Sequence, residues 1–338
     1  MWTEEKLNKM LTTPSEALIE DVKKIKGDIM ILGAAGKMGP TLCVLAKKAC
    51  EAAGIDKKIY GVSRGSDEIA MKLMEDNGIE VIKADLLDKE KLYALPNAEN
   101  IIYMAGKKFG TKGNEWQTWA MNSTLPAFVA DKFKKSNIVV FSSGNIYPIV
   151  PINGGGCDEN CRPLPNGEYA MSCLARERAF EYAANTFGTN VFIYRLNFAI
   201  DLRYGVLFDL ADKILKGEAI SLATPVFNFI WQGSANEMAI RGLLHASSPA
   251  TVMNITGPET VSVKKAAIEL GGYLGKEPIF ENECGSDAYL NDASLATEVF
   301  GYPSVSAKTL IRWQAQWLLD GGRTLNKPTH FEERKGNY

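Results

Sequence analysis

The chain has 338 residues, enough for one large α/β unit or two packed domains with an ample core. An apolar fraction of 46% and a charged fraction of 23% are ordinary for a globular protein, and a formal net charge of −2 argues against nucleic acid or an anionic membrane as partner. No apolar run reaches the roughly 18 residues of a spanning helix, and the polar start MWTEEKLNKM lacks the apolar centre of a secretion signal, so a cytoplasmic protein is expected.

Residues 13–27, TPSEALIEDVKKIKG, predict a helix. Thr13 is its expected cap, Pro14 takes the first helical position and Glu16 completes a capping box. Leu18, Ile19, Val22 and Ile25 form one apolar stripe, and Gly27 is the expected stop. Short apolar runs then alternate with helical patterns. DIMILGA (28–34), KIYGVS (58–63), GIEVIKA (78–84), NIIYMAG (100–106), NIVVFSS (137–143) and NVFIYRL (190–196) read as six strands, the last after a long helix from Gly167. Strands spaced by helices predict βαβ units, a parallel sheet and right-handed crossovers. After residue 200 the pattern loosens. TVMNITG (251–257) reads as one more strand, and helical stretches near 261–275 and 306–319 follow.

Six cysteines lie at 43, 50, 157, 161, 173 and 284. Only Cys157 and Cys161, in CDENC, are close in sequence, and His245 and His330 are distant from both. A structural zinc needs about four ligands, so no metal is expected and the thiols read as reduced.

The stretch ILGAAGKMG places Gly33, Gly36 and Gly39 in a G-x-x-G-x-x-G spacing directly after a strand and at the start of a helix. Gly33, Gly36, Lys37, Met38 and Gly39 are therefore the candidate phosphate loop, whose backbone N–H groups and helix dipole suit a pyrophosphate. A tight turn with no ligand is the competing reading. At the end of the second strand, where an acid commonly holds a ribose 2′-hydroxyl, stand Ser63 and Arg64. A hydroxyl and a guanidinium suit a 2′-phosphate, so NADP is the preferred cofactor and NAD the possible one, against a merely solvated arginine.

The glycine spacing, ADLLD after the third strand, MAG after the fourth, FSSGNIYP on the fifth and YAMS on the next helix occur in order. With MNITGPETVSV and FGYPSVSAKTLIRWQAQWL further on, the chain over residues 27–320 resembles an extended short-chain dehydrogenase/reductase of the NAD-dependent epimerase/dehydratase family. The resemblance implies an α/β fold: a Rossmann doubly wound parallel sheet in 27–200 with 228–257 returning to it. A smaller mixed α/β substrate-binding domain with a C-terminal tail would take 201–227 and 258–338, and 1–26 would be an N-terminal helical extension. It implies oxidation and reduction of a substrate carbon, often on sugars. Asp85 and Leu86 would sit by the adenine, Met104, Ala105 and Gly106 would line the cofactor, and Asn122 would lie on the helix supporting the site. Ser143 would be the catalytic serine and Tyr169 the catalytic tyrosine. The chemistry stands beside the name: a carbinol proton needs a base, and a tyrosinate serves once its pKa falls from about 10.

Two departures qualify this. The family's lysine one turn after the tyrosine is Cys173 here, which supplies no charge; the lost cation is worth about 1.4 kcal/mol per unit of pKa shift. Arg176, Lys107, Lys108, Lys112 and an oxidised nicotinamide ring are the candidate replacements. Further on, ATPVFNFIWQGSANEMA carries no arginine from Ala223 to Ala239 for a sugar-nucleotide diphosphate. The expected substrate is therefore a carbohydrate-like molecule, small polyol or hydroxy acid rather than a nucleotide sugar, with Trp231 and Gln232 as contacts or core and Arg203 as anion anchor or surface. The expectation is an NAD(P)-dependent oxidoreductase, epimerase or dehydratase; the alternative is a catalytically silent cofactor-binding sensor or scaffold. A homodimer is expected through helices near 115–136 and 167–187, carrying Trp116, Trp119, Phe128, Phe133, Leu174 and Phe180.

Overall fold

The protein is described by a computed structural model over residues 1–108, 110, 112–325, 327 and 329–336. Each of the seven apolar runs becomes a strand of one parallel sheet: β1 (Ile29–Leu32), β2 (Ile59–Ser63), β3 (Glu80–Lys83), β4 (Asn100–Tyr103), β5 (Asn137–Ser143), β6 (Val191–Leu196) and β7 (Thr251–Ile255). The order is β7-β6-β5-β4-β1-β2-β3, all neighbours parallel. β1, β2 and β4 are buried along their whole length, which is why they read as unbroken apolar runs. The chain reverses direction of winding between β1 and β4, so a crevice opens beyond their C-terminal ends. The α/β doubly wound fold expected from the sequence is the one present.

Helices α2 (Glu16–Lys24), α3 (Gly39–Ala52), α10 (Gln232–Arg241) and α12 (Ser294–Phe300) cover one face of the sheet. Helices α5 (Lys89–Ala94), α7 (Leu125–Lys132) and α8 (Gly167–Phe187) cover the other. A second apolar cluster gathers α1 (Glu4–Leu11), α9 (Val206–Lys216), α11 (Val263–Leu274) and α13 (Ala307–Leu319). Trp2 stands edge-on to Trp313 and Trp317 there, with ring centroids 5.3 and 6.4 Å apart, which ties the N-terminus to α13. Two-residue and three-residue strand pairs, such as Ala199–Ile200 with Ile230–Trp231, stitch this region together. Among the described residues no helix is long and apolar enough to cross a membrane.

The N-terminal region departs from the single helix expected at 13–27. It holds α1 and α2, and α2 is capped by Ser15, whose hydroxyl accepts from Leu18 N at 3.1 Å. Thr13 instead donates to Lys9 O at 2.7 Å, closing the end of α1. Ser15 wins the cap because it directly precedes the amphipathic run and leaves Pro14 outside the helix. α2 ends at Lys24, and Gly27, at φ +75°, turns the chain into β1.

Candidate active site

The glycine loop leaves β1 at Gly33, whose φ is +90°; a Cβ there would lie 2.7 Å from Ala105 N. A Cβ at Gly39 would lie 2.2 Å from Ala34 O. The loop is thus folded on itself and pressed against the end of β4, as only glycine allows. Helix α3 begins at Met38 with no side-chain cap and with Pro40 in its first turn. Gly36, Lys37 and Thr41 line a groove of about 530 Å³, together with Asp67 of α4 (Glu68–Glu75) at its cap and with Arg203 and Arg323. The glycine cradle and the uncapped helix start fit the diphosphate of a nicotinamide dinucleotide, while both guanidinium groups are already paired with Glu4.

Beyond β5 a single 3₁₀ turn, Gly144–Ile146, is capped by Ser143, whose Oγ accepts from Asn145 N at 3.2 Å and donates to Asn145 Oδ1 at 3.0 Å. Tyr169, in the first turn of α8, hydrogen-bonds both Ser143 and Cys173. Both Ser143 and Tyr169 line a cavity of about 170 Å³. Burial holds the Tyr169 phenol well above its ordinary value and the Cys173 thiol adds to this; the Arg176 guanidinium and the Ser143 hydrogen bond pull the other way. Cys173 itself is fully buried among Ile146, Tyr147 and Cys157, with a raised thiol pKa set by that burial. Its sulfur fills space and carries no charge.

The scaffold behind the pair is a set of buried hydrogen bonds. A π-helical turn, Ala120–Thr124, follows α6 (Glu115–Trp119) and turns Asn122 inward. Asn122 Oδ1 accepts from Lys107 N and from Arg176 Nη2, both at 2.8 Å; its Nδ2 donates to Lys107 O at 2.8 Å and Ser172 Oγ at 3.0 Å. The loop after β4 is thereby pinned to α8. Arg176 also donates to Phe141 O at 2.7 Å. Below, Glu177 takes a bidentate bond from Arg195 at 3.0 and 2.8 Å and a hydroxyl bond from Ser142 at 2.5 Å, and Arg195 reaches Tyr147 Oη at 2.6 Å.

The opposite wall is cationic. Lys108 Nζ lies 5.8 Å from the Tyr169 ring centroid and donates to Thr329 O at 3.2 Å. Lys37 Nζ lies 4.0 Å from the Tyr204 ring centroid and donates to Ala199 O at 2.6 Å. Burial lowers Lys37 to about 7 and Lys108 to about 8. Asp209, on α9, accepts from both Thr329 N and Thr329 Oγ1, and burial raises it to about 6. Phe198 lines the same cavity in the left-handed region, at φ +45°.

A family model described as the NAD-dependent epimerase/dehydratase family matches residues 29–254. The chain belongs to that family. Among solved structures, UDP-glucuronic acid 4-epimerase from Bacillus cereus in complex with NAD is similar at 17% identity, with 87% of this chain and 99% of that one covered and a TM-score of 0.70. Pal from Bacillus thuringiensis gives 14% identity, the same coverages and a TM-score of 0.71. UDP-glucose 4-epimerase from Thermus thermophilus in complex with NAD gives 18%, 86% and 98%, and 0.66. No curated protein matches the chain.

Several expectations are resolved within this family frame. Ser143 and Tyr169 come together. Met104, Ala105 and Gly106 follow β4 beside the glycine loop, and a Cβ at Gly106 would lie 2.6 Å from Arg176 Nη2. Asn122 spends its polar atoms on Lys107, Arg176 and Ser172, so it supports the loop rather than offering a free group. Asp85 is exposed just past β3, bonded to Leu87 N at 3.1 Å, and Leu86 is buried. Ser63 Oγ is turned into its own loop, accepting from Gly65 N at 3.1 Å and lying 3.2 Å from Met71 Sδ, while Arg64 is exposed.

Of the candidate cations, Arg176 is committed to Asn122 and Phe141, Lys107 Nζ to Gln117 at 2.7 Å, and Lys112 is exposed; Lys108 is the one that lines the cavity. Trp231 and Gln232 are core, not substrate contacts: Trp231 packs on Trp313, and Gln232 bonds Thr41 Oγ1 at 3.2 Å. Arg203 is neither free anchor nor surface residue, because Asp201 and Glu4 already pair with it. Lys37 and Lys83 are the functional candidates that motif reading missed as side chains. The first was read for its backbone alone, and the second lies beside Gly65 at the end of β3.

Proposed function

We propose that the protein is an NADP-preferring oxidoreductase, epimerase or dehydratase acting on a small carbohydrate-like polyol or hydroxy acid. The observation that carries the reading is the Ser143–Tyr169 hydrogen bond at the rim of the 170 Å³ cavity, with the Lys108 ammonium facing the tyrosine ring. Gly33, Gly36 and Gly39 with the start of α3 would hold the cofactor diphosphate. When bound, the nicotinamide supplies hydride exchange with a substrate carbon. The rest of the chemistry belongs to this chain. Ser143 Oγ orients the substrate oxygen and Tyr169 Oη exchanges its proton. Because burial keeps the phenol protonated at neutral pH, Tyr169 acts most readily as donor to a carbonyl, and carbinol oxidation gains as pH rises. Lys108 offsets the phenolate charge in place of the lysine that Cys173 displaces.

The reading of NADP rests on exposed Arg64 and on Lys83, the cations at the ends of β2 and β3; the Ser63 hydroxyl, engaged by its own turn, contributes little. NAD is the alternative, and it is the cofactor named for the neighbouring structures. Those neighbours also act on UDP-sugars, so a nucleotide sugar is the second reading of the substrate. A homodimer is supported by exposed Trp116 on α6 and by Met171, Tyr182 and Phe187 on α8; Phe133 and Phe180 are core and Trp119 bonds Glu168. A monomer mass by light scattering at micromolar concentration would remove the dimer.

The deciding experiment incubates purified protein with NADP⁺ or NAD⁺ and panels of polyols, hydroxy acids and UDP-sugars, following reduced nicotinamide and product identity. Turnover on a small acid or polyol that is lost in Tyr169→Phe is the expected result. Cofactor binding without turnover on any panel would favour the silent sensor.

A further inference from the structure

Two of the six thiols stand apart from the rest. Cys157 and Cys161 open and close the CDENC loop, both are free thiols, and their sulfurs hydrogen-bond at 2.9 Å. A disulfide bond is about 2.05 Å long, so the two atoms need approach by only about 0.9 Å. The loop is already turned for that approach. Asp158 Oδ1 accepts from Asn160 N at 3.1 Å and from Cys161 N at 2.9 Å, and Cys161 N also donates to Asp158 O at 3.2 Å. Cys157 is anchored through its backbone. Its N–H donates to Leu290 O at 2.9 Å, and its carbonyl accepts from Asp292 N at 2.8 Å and Asn254 Nδ2 at 2.9 Å. Between the two thiols, Glu159 accepts from Asn254 N at 2.7 Å. With the backbone held on both sides, closing the pair costs little further ordering. Access is unequal: Cys157 is buried, whereas Cys161 is half-buried.

We infer that Cys157 and Cys161 form a reversible dithiol–disulfide site, closed by small-molecule disulfides of the glutathione class. The more accessible Cys161 reacts first. Its thiolate attacks one sulfur of the oxidant, the oxidant's S–S bond breaks, one thiolate leaves, and Cys161 holds a mixed disulfide. Cys157 then gives up its proton and attacks the Cys161 sulfur, which expels the second thiolate. The two protein thiols lose two electrons and two protons, and the oxidant carries both away as two thiols. Burial pushes the Cys157 thiol up to about 12, and the hydrogen bond to Cys161 and the charge of an ionised Cys161 add to this. A mixed disulfide at Cys161 carries neither, which eases the second attack.

The other thiols set the contrast. Burial holds Cys43, Cys50 and Cys173 protonated, and Cys284 is exposed. Cys173 belongs to the same apolar cluster as Cys157, so it is the competing partner. Cys161 and Tyr169 pack against that cluster too, so the bond forms beside the candidate active site, whether or not Tyr169 turns a substrate over. In a reducing compartment such bonds are transient and regulatory rather than part of the fold.

The test incubates the native full chain with glutathione disulfide over a range of reduced glutathione, quenches with acid, alkylates the remaining thiols in denaturant and maps the fragments by mass. Exposed Cys284 gauges the oxidant and should gain one glutathionyl group. The segment holding Cys157 and Cys161 should lose two hydrogen masses. After cleavage beside Asp158 or Glu159 its two pieces should stay joined until dithiothreitol parts them. Cys157→Ala should stop at a glutathionyl group on Cys161, and Cys161→Ser should leave Cys157 unmodified. Because Cys161 is half-buried, Cys161→Ser should fold and melt as the wild type does, which keeps the test readable if Cys157→Ala fails to fold. A glutathionyl group that stays on Cys161 in the wild type overturns the proposal, as does a bond between Cys157 and Cys173. So does full modification of Cys284 with both loop thiols still free, or closure that occurs only after unfolding in urea.

Discussion

The two walls of the cavity are built differently. On the α8 side, Asn122, Ser142, Tyr147, Glu177 and Arg195 bond to one another and to backbone, and they are nearly sealed from water. On the loop side, Lys37 and Lys108 rest on the carbonyls of Ala199 and Thr329, carried by segments far apart in sequence. A densely bonded network fixes positions and tolerates little change. Two ammonium groups on carbonyls fix little, but they set the potential that a ligand meets. Under the proposed function, the charge that buried Cys173 does not supply from the helix carrying Tyr169 would come from the loops that face it.

The comparison breaks first if its centre is wrong. Tyr169→Phe should lower turnover of a verified substrate by ~10²–10⁴-fold with cofactor affinity nearly unchanged, read by steady-state kinetics and a binding titration. A wild-type rate would end the mechanism. The rigid wall is probed next by Glu177→Gln, which leaves the buried Arg195 charge short of its partner. A loss of ~3–5 kcal/mol by denaturant unfolding is expected, and a loss under ~1 kcal/mol would show that the network is not the frame described.

The cationic wall is sharpened by Lys108. Lys108→Met should lower kcat by ~10–100-fold and Lys108→Arg should restore most of it. Because burial lowers Lys108 to about 8, its charge is present below that pH and lost above it. Rates of carbonyl reduction, the direction in which the phenol donates its proton, should therefore fall above about pH 8 in the wild type, and the fall should vanish in Lys108→Arg, whose guanidinium keeps its proton. Arg64→Ala should weaken NADP by ~1–3 kcal/mol and leave NAD almost untouched, measured by calorimetry with both cofactors. Equal losses would remove the 2′-phosphate assignment. The smallest effect is expected of Cys173→Ala: ~1–2 kcal/mol of stability for a buried side chain and no change in kcat. Abolished turnover there would make the thiol a participant.

The sheet was legible because its central strands are apolar runs closed by glycine or polar residues, and burial of β1, β2 and β4 along their whole length leaves no alternation to misread. Ser143 and Tyr169 were legible through their motifs. Other parts were hidden for physical reasons. Asp209 and Thr329 meet across 120 residues of chain, and no local pattern announces that contact. Lys37 sat inside a glycine motif whose meaning lies in its backbone. Trp231 and Gln232 read as contacts or core because their stretch has weak periodicity; a short strand pair buries Trp231, and Gln232 is buried at the start of α10. Helix α9 was readable and passed over: VLFDLADKILK buries Val206, Leu207, Leu210, Ala211 and Ile214 on one side and ends on Gly217 at φ +72°.

The π-turn at Ala120–Thr124 has a consequence for how this chain tolerates insertion and deletion. Such a turn holds one residue more than the regular helix would, and each residue rotates the following side chains by about 100°. Removing one residue between Ala120 and Asn122 would let the helix continue in ordinary register and gain a normal hydrogen bond. It would also swing the amide at position 122 out of line with Lys107 and Arg176, unfastening the β4 loop from α8. The chain therefore keeps a locally weaker helix in exchange for a correctly phased asparagine, and a shortened variant, which strips buried Arg176 and Lys107 N of that amide, should melt lower and lose the alignment of the β4 loop with Tyr169.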